Sequence, residues 1–257
     1  MRVRVGSNRT GMMDLKYFAV VFGAFLLAGL VKGTAGMGLP PTAIALTTLV
    51  LPMSDALALL TLPTLATNLW QAFWGGHFRS MLRRFWIMGV AIVIGIFVSA
   101  LSLRSLGSPR SVGYLGVILV IFSLTAFVAW RPHVAARHEW WANPLSGLAT
   151  GLIGGVTGMA AVPFLPYIQS LTLTRDELIQ ALGILFVVFT AALTVALADA
   201  GAFTITNGVG TLVATGPTFL GVWLGQKLRR AVSPEVFRRI FLAVMFGVGI
   251  HLSRGLF

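Results

Sequence analysis

A lysine stands in the apolar run GLVKGTAGMGLPP, residues 29–41, among glycines and ahead of two prolines. An ionisable side chain inside a membrane-like segment is costly and by default marks a ligand or a pathway. Lys32 offers a full positive charge. Gly33, Gly36 and Gly38 let the backbone leave helical geometry. Pro40 and Pro41 suit the first turn of a new helix, where a missing N–H costs little. A half-helix beginning there would aim its partial positive end at the region of Lys32. The chemistry predicted is the binding of an anion rather than a cation. Two other readings stand beside it. Gly29 and Gly33, four apart, suit a close helix crossing, and Lys32 could snorkel to an interface or pair with a carboxylate.

The run occurs twice. GLIGGVTGMAAVP, residues 151–163, repeats it with an offset of 122 and shares Gly151, Leu152, Gly155, Gly158, Met159 and Pro163. Thr157 adds a hydroxyl, as Thr34 does in the first copy, but Gly154 replaces the lysine. A site shared by both copies would therefore be charged from one side only. Further on, LGSPRSVGYLG (106–116) and AVSPEVFRRIF (231–241) correspond at nearly the same spacing. The chain reads as two related halves, 15–130 and 140–253, joined by the polar linker RPHVAARHE at 131–139. Paired halves, each with a broken segment, are a membrane-transport arrangement.

TLPTLATNLWQAFWGG, residues 61–76, puts Thr64, Thr67, Asn68 and Gln71 on one helix face. A lipid-facing helix would not present Asn and Gln, so these groups either line a cavity or hydrogen-bond a neighbouring helix. Thr190 is the counterpart of Asn68 in the second half. The expected anion shell is thus Lys32, Gly33, Thr34, Gly36, Gly38, Asn68, Gln71, Gly155, Thr157, Gly158 and Thr190, with backbone N–H groups near Gly36–Gly38 and Gly158–Ala160 as donors. Trp70 and Trp74 lie near a segment end, where interfacial belts are expected. Asp55, Asp176, Glu177 and Asp199 sit near helix ends and read as caps, with proton coupling as the alternative.

These residues need helices around them. The chain of 257 residues is 57% hydrophobic and only 10% charged, where soluble domains carry about 25%. Residues 85–103, 111–130 and 178–198 hold no charge and are long enough to cross a bilayer. The predicted class is an all-α polytopic membrane protein. Spanning helices are expected near 15–32, 54–75, 82–103, 110–130, 141–155, 176–199, 204–227 and 234–253, with short segments near 40–51 and 160–171. The first residues continue into the apolar pattern and read as a helix rather than a cleaved leader. A start at Met12 or Met13 would remove Arg2, Arg4 and Arg9. Inverted halves would put the basic connections 79–84, 131–139 and 227–239 on one side of the membrane, which favours inversion.

Several functions are excluded. There is no cysteine, so thiolate metal sites and disulfides are out. The scattered histidines suggest no metal site. No P-loop, HExxH or GxSxG motif occurs, so neither direct ATP hydrolysis nor a familiar hydrolase is expected. The net charge of +12 is spread over short connections, not a basic face, and nucleic acid is not an expected partner. No cofactor is expected.

In its paired glycine kinks, in TNLWQAFWGG (67–76) and in LGQKLRRAVSPEVFRRIFLAVMFGVGIHL (224–252), the chain resembles the sulfite exporter TauE/SafE family of membrane permeases, from about residue 18 to 253. The resemblance implies secondary transport of a small anion such as sulfite, a sulfonate or a related organosulfur or carboxylate compound. Because no ATP site exists, a proton or electrochemical gradient is the expected driver, and the bacterial cytoplasmic membrane is the expected location. The glycine run is thinned to GMG and GMAA, and Lys32 is no fixed feature of the family pattern. An uncoupled anion channel and a scaffold protein, in which Lys32 and Asn68 only pair helices, are the alternatives.

Overall fold

The computed structural model describes residues 8–103, 109–128, 134–160, 162–228 and 234–256. Among them lie ten α-helices: α1 (Asn8–Ala35), α2 (Leu39–Thr47), α3 (Met53–Phe73), α4 (Phe78–Leu103), α5 (Pro109–Val128), α6 (Glu139–Thr157), α7 (Phe164–Gln169), α8 (Arg175–Asp199), α9 (Ile205–Leu228) and α10 (Pro234–Ser253). Eight are long. The other two, α2 with 9 residues and α7 with 6, cannot cross a bilayer. Among the described residues, five stretches are long and apolar enough to span by themselves, within α1, α4, α8 and α9 and from Arg239 in α10 to Leu256. The chain is a polytopic helical membrane protein, with large side chains such as Phe22, Trp86, Val98 and Phe127 facing outward, as a lipid-facing surface requires.

Sequence punctuation explains the boundaries. Pro52 precedes α3, and Pro109 and Pro234 open α5 and α10. Thr174 and Glu177 close a capping box at the start of α8, each side chain bonding the other's backbone N–H. Pro63 lies within α3 and deprives the Leu59 carbonyl of its helical donor. Thr211 of α9 repairs the break, donating its hydroxyl to Leu59 O at 2.8 Å.

The helices pair reciprocally. α1 packs on α9 and α6 on α4; α3 packs on α8 and α5 on α10. The first helix of each half thus lies against the fourth helix of the other. Small residues make these crossings close. A Cβ on Gly29 would stand 2.2 Å from Thr218 O, and one on Gly221 would stand 2.2 Å from Leu26 O. In the α4–α6 crossing, a Cβ on Gly151 would meet Ile92 O at 2.3 Å. No side chain fits there, so backbone approaches backbone. The core between the crossings is filled by Phe25, Phe85, Phe164, Met88 and Ile92.

Candidate functional site

Lys32 sits in the last turn of α1, at the negative end of that helix dipole. Its Nζ donates to Thr67 Oγ1 at 3.1 Å and to Asn68 Oδ1, both on α3. No carboxylate pairs with it; the Arg84–Glu139 ion pair, at 2.6 Å, lies away from it between α4 and α6. An ammonium has three hydrogens, so one remains after the two neutral tethers. Thr67 donates its own hydroxyl back to Pro63 O and therefore acts on Lys32 only as an acceptor. Asn68 is 1% exposed, enclosed by the helices it joins.

Lys32 borders a cleft of about 400 Å³ between α1, α3 and α9, lined also by Gly33, Gly36, Thr67, Trp70, Gln71, Trp74, Ile179, Phe219, Val222 and Gln226. That volume is in the range of small-molecule sites. The α3 contribution comes from Thr67, Trp70 and Gln71, one stripe of a helix, and Trp74 follows at its C-terminal cap. Gln71 also ties α3 to α8: its Nε2 donates to Ile179 O at 3.0 Å. Gln180 makes the return tie to Ala72 O at 2.7 Å and accepts from His77 N.

One turn earlier the same α3 face borders a much smaller cavity, about 20 Å³, between Thr61, Thr64, Pro40, Gly158, Ala160 and Thr190. This is where the two kinks meet. Gly38 has φ 97° and caps α2, and Gly158 has φ 72° and ends α6. Both need the left-handed region that glycine enters without penalty. The Thr64 hydroxyl is buried here and bonds to no protein group.

The expected shell is thus divided. Lys32, Gly33, Gly36 and Gln71 come together at the cleft, with Asn68 behind Lys32. Gly158 and Thr190 border the small central cavity instead, so Asn68 and Thr190 do not face each other across one site. Thr34 and Thr157 turn their hydroxyls onto the carbonyls of Leu30 and Ile153 in their own helices. Gly155 is a packing residue: a Cβ there would fall 1.8 Å from Ser99 Oγ. Gly33 does both, since its Cβ would meet Val222 O at 2.2 Å. Gly38 turns the chain, and a Cβ on it would press on Val31.

The donors expected at the start of α2 are largely missing. Pro40 and Pro41 have no N–H, Thr42 N already bonds Gly38 O at 3.2 Å, and Leu39 is fully buried. The Gly36 and Gly158 amides are engaged by Lys32 O and Gly154 O. The two prolines that start α2 withdraw two of its first amides, leaving Lys32 as the charged group beside this end. In the second half the equivalent volume is apolar. A Cβ on Gly154 would meet the Phe189 ring at 2.3 Å, and Phe189 is the counterpart of Thr67.

The helices and this one-sided cationic cleft define a class, the polytopic α-helical membrane proteins with a ligand-sized cleft between helices. Residues 21–252 match the family Sulfite exporter TauE/SafE, and the chain belongs to it. The family is one of membrane transporters for sulfite or related anions. No curated protein and no solved structure matches the chain significantly.

Proposed function

We propose that this chain is a secondary permease for a small anion, held at Lys32 in the cleft between α1, α3 and α9. The observation that carries this reading is the Lys32 ammonium itself. It borders a ligand-sized cleft, is tethered only by neutral oxygens and has no carboxylate partner. The tethers to Thr67 and Asn68 also join α1 to α3, so it is the cleft beside the uncompensated charge, not the tethers, that supports a ligand.

Thr67 at the cleft and Thr64 at the small central cavity lie one turn apart on one face of α3. An anion leaving Lys32 would follow that face toward the meeting point of the kinks. The reciprocal pairing of α1 with α9 and α6 with α4 supports two related halves, and inverted halves moving against each other would give alternating access. The bacterial cytoplasmic membrane is the proposed location, and a proton or electrochemical gradient the proposed driver. Anion flux into proteoliposomes, with sulfite, sulfonates, sulfate and short carboxylates compared between wild type and Lys32→Gln at equal incorporation, tests the reading. Saturable flux of at least one anion, lost in the variant, is expected. Saturable flux of none, from folded protein, would end the permease reading.

A further inference from the structure

The turn between α3 and α4 is built as a joint. Between Phe73 at the end of α3 and Phe78 at the start of α4, Gly75 and Gly76 hold φ 114° and 79°. Glycine enters that region freely, and a few such residues can absorb the dihedral change of a hinge. A Cβ on Gly76 would meet nothing within 4 Å, so the joint has room to turn. What holds it is a side chain from α8. Gln180, fully buried, donates its Nε2 to Ala72 O at 2.7 Å and accepts from His77 N at 2.6 Å. Ala72 O is among the last carbonyls of α3, and His77 N lies just before α4. One amide thus satisfies a backbone group on each side of the two glycines. Gln71 adds a third tie to α8, at Ile179 O. α8 also approaches closely here, since a Cβ on Gly183 would stand 2.5 Å from Ala72 N.

The opposite wall of the cleft is fixed. α1 and α9 meet backbone to backbone at Gly29, Gly33, Gly221 and Gly225, as α4 and α6 do at Gly95, Gly147 and Gly151. The two crossings correspond residue for residue: Gly29 against Thr218 matches Gly151 against Ile92, and Gly221 against Leu26 matches Gly95 against Leu148. Carried to α3 and α8, at the spacing that relates Asn68 to Thr190, this correspondence puts Ala58 where Gln180 stands. The matching joint, between α8 and α9, has Gly201 at φ 71°. It is held from within α9. Asn207 donates Nδ2 to Ala202 O at 2.8 Å and accepts from Thr204 N at 2.7 Å. The same two jobs, one carbonyl and one amide, are done locally at one joint and from another helix at the other. A local cap is enough to hold a joint. A cap supplied by α8 also makes the joint depend on where α8 lies.

We infer that Gln180 is a latch, a positioning residue that holds the end of α3 against α8 while the cleft stands open. When its two bonds break, the end of α3 turns on Gly75 and Gly76 toward α1 and α9 and closes the cleft over Lys32. For what this motion serves, the latch rests on the permease reading above, since a carrier must close over its ligand. Gln71 stands both on the cleft wall and in the third tie, so a ligand that takes its amide loosens the same contact. The chain has no cysteine, and one introduced thiol therefore reports alone. Val222→Cys puts it on the α9 wall of the cleft, and its alkylation rate by a water-soluble maleimide is measured on the full chain in phosphatidylcholine nanodiscs. Open and closed states of a carrier are close in free energy, so losing two buried hydrogen bonds shifts their balance. Gln180→Met keeps the length without the polar groups and is expected to slow alkylation about fivefold or more. Gln180→Asn, too short to reach both partners, is expected to act in the same direction and serves if Gln180→Met does not fold. Asn207→Leu removes the matching local cap and is expected to lower the melting temperature with the alkylation rate unchanged. Unchanged or faster alkylation in the folded Gln180 variants, or equal slowing in Asn207→Leu, would overturn the latch and leave Gln180 a structural cap. Slowed alkylation in Gln180→Met without saturable anion flux in wild type would reject the permease reading and leave the latch standing. Saturable flux with unchanged alkylation would do the reverse.

Discussion

Replacing Asn68 with leucine removes one of the two acceptors that hold Lys32 while nearly keeping the side-chain volume. The structure lets the cost be bounded. Neutral interhelical hydrogen bonds in membranes contribute about 0.6 kcal/mol on average and reach about 1.7. Bonds to a charged group contribute about 1.5–3 kcal/mol. The Lys32–Asn68 contact belongs to the second kind, so Asn68→Leu should destabilise the fold by about 2 kcal/mol. Lys32→Met should also cost about 1–3 kcal/mol, because the Asn68 carbonyl is then buried without its donor. The double variant removes both polar partners and should cost clearly less than the sum. A coupling of about 1.5 kcal/mol is expected from the cycle. Reversible unfolding in mixed detergent micelles, followed by circular dichroism on all four proteins, measures it. Costs that add to within about 0.5 kcal/mol would refute the reasoning, since independent sites behave that way.

The close crossing of α1 and α9 predicts opposite outcomes for two glycines of the same helix. Gly29→Ala would push a methyl to within 2.2 Å of Thr218 O and should cost about 1–3 kcal/mol as the helices separate. Gly23→Ala meets nothing within 4 Å and should be neutral or stabilise by up to about 1 kcal/mol. A melting temperature for Gly29→Ala at or above that of Gly23→Ala would contradict the crossing. Thr64→Val keeps the shape and deletes a buried hydroxyl with no protein partner, so thermal melts should show no loss or a gain of about 1 kcal/mol; a clear loss would show that the hydroxyl is engaged. Thr211→Val leaves Leu59 O without a donor because Pro63 cannot supply one. It should cost about 1–3 kcal/mol in the same melts, and unchanged stability would mean that the proline break is repaired elsewhere.

Helix positions were legible because proline and glycine mark them. The segment expected at 54–75 is Met53–Phe73, and that expected at 176–199 is Arg175–Asp199. The short segments were visible as kinks, but α7, expected over 160–171, is only Phe164–Gln169. Residues 131–133 and 229–233, parts of two of the basic connections that favour inversion, lie outside the described residues, as does 104–108. Lys32 and Asn68 could be singled out from type and spacing alone, and their pairing across helices, one of the alternatives, is present in the structure. Thr34 and Thr157 could not be separated from site residues by sequence, because a threonine hydroxyl bonds its own helix as readily as a ligand. Reading Pro40 and Pro41 only as helix starters hid their other effect, the loss of two donors. Trp70 and Trp74, expected near a segment end as interfacial anchors, are strongly exposed and also border the cleft. Gln180 was missed; its signal was a single amide inside the charge-free run 178–198.

The claim that most needs testing is that the Lys32 charge holds the transported anion. Initial anion flux into proteoliposomes, compared for wild type, Lys32→Arg and Lys32→Gln at matched incorporation, measures it directly. The account predicts saturable flux in wild type, reduced but saturable flux in Lys32→Arg, and a fall of about tenfold or more in Lys32→Gln, the loss expected when a charge-assisted contact of roughly 1.5–3 kcal/mol is removed. Flux in Lys32→Gln equal to wild type would contradict it and place the anion elsewhere in the bundle.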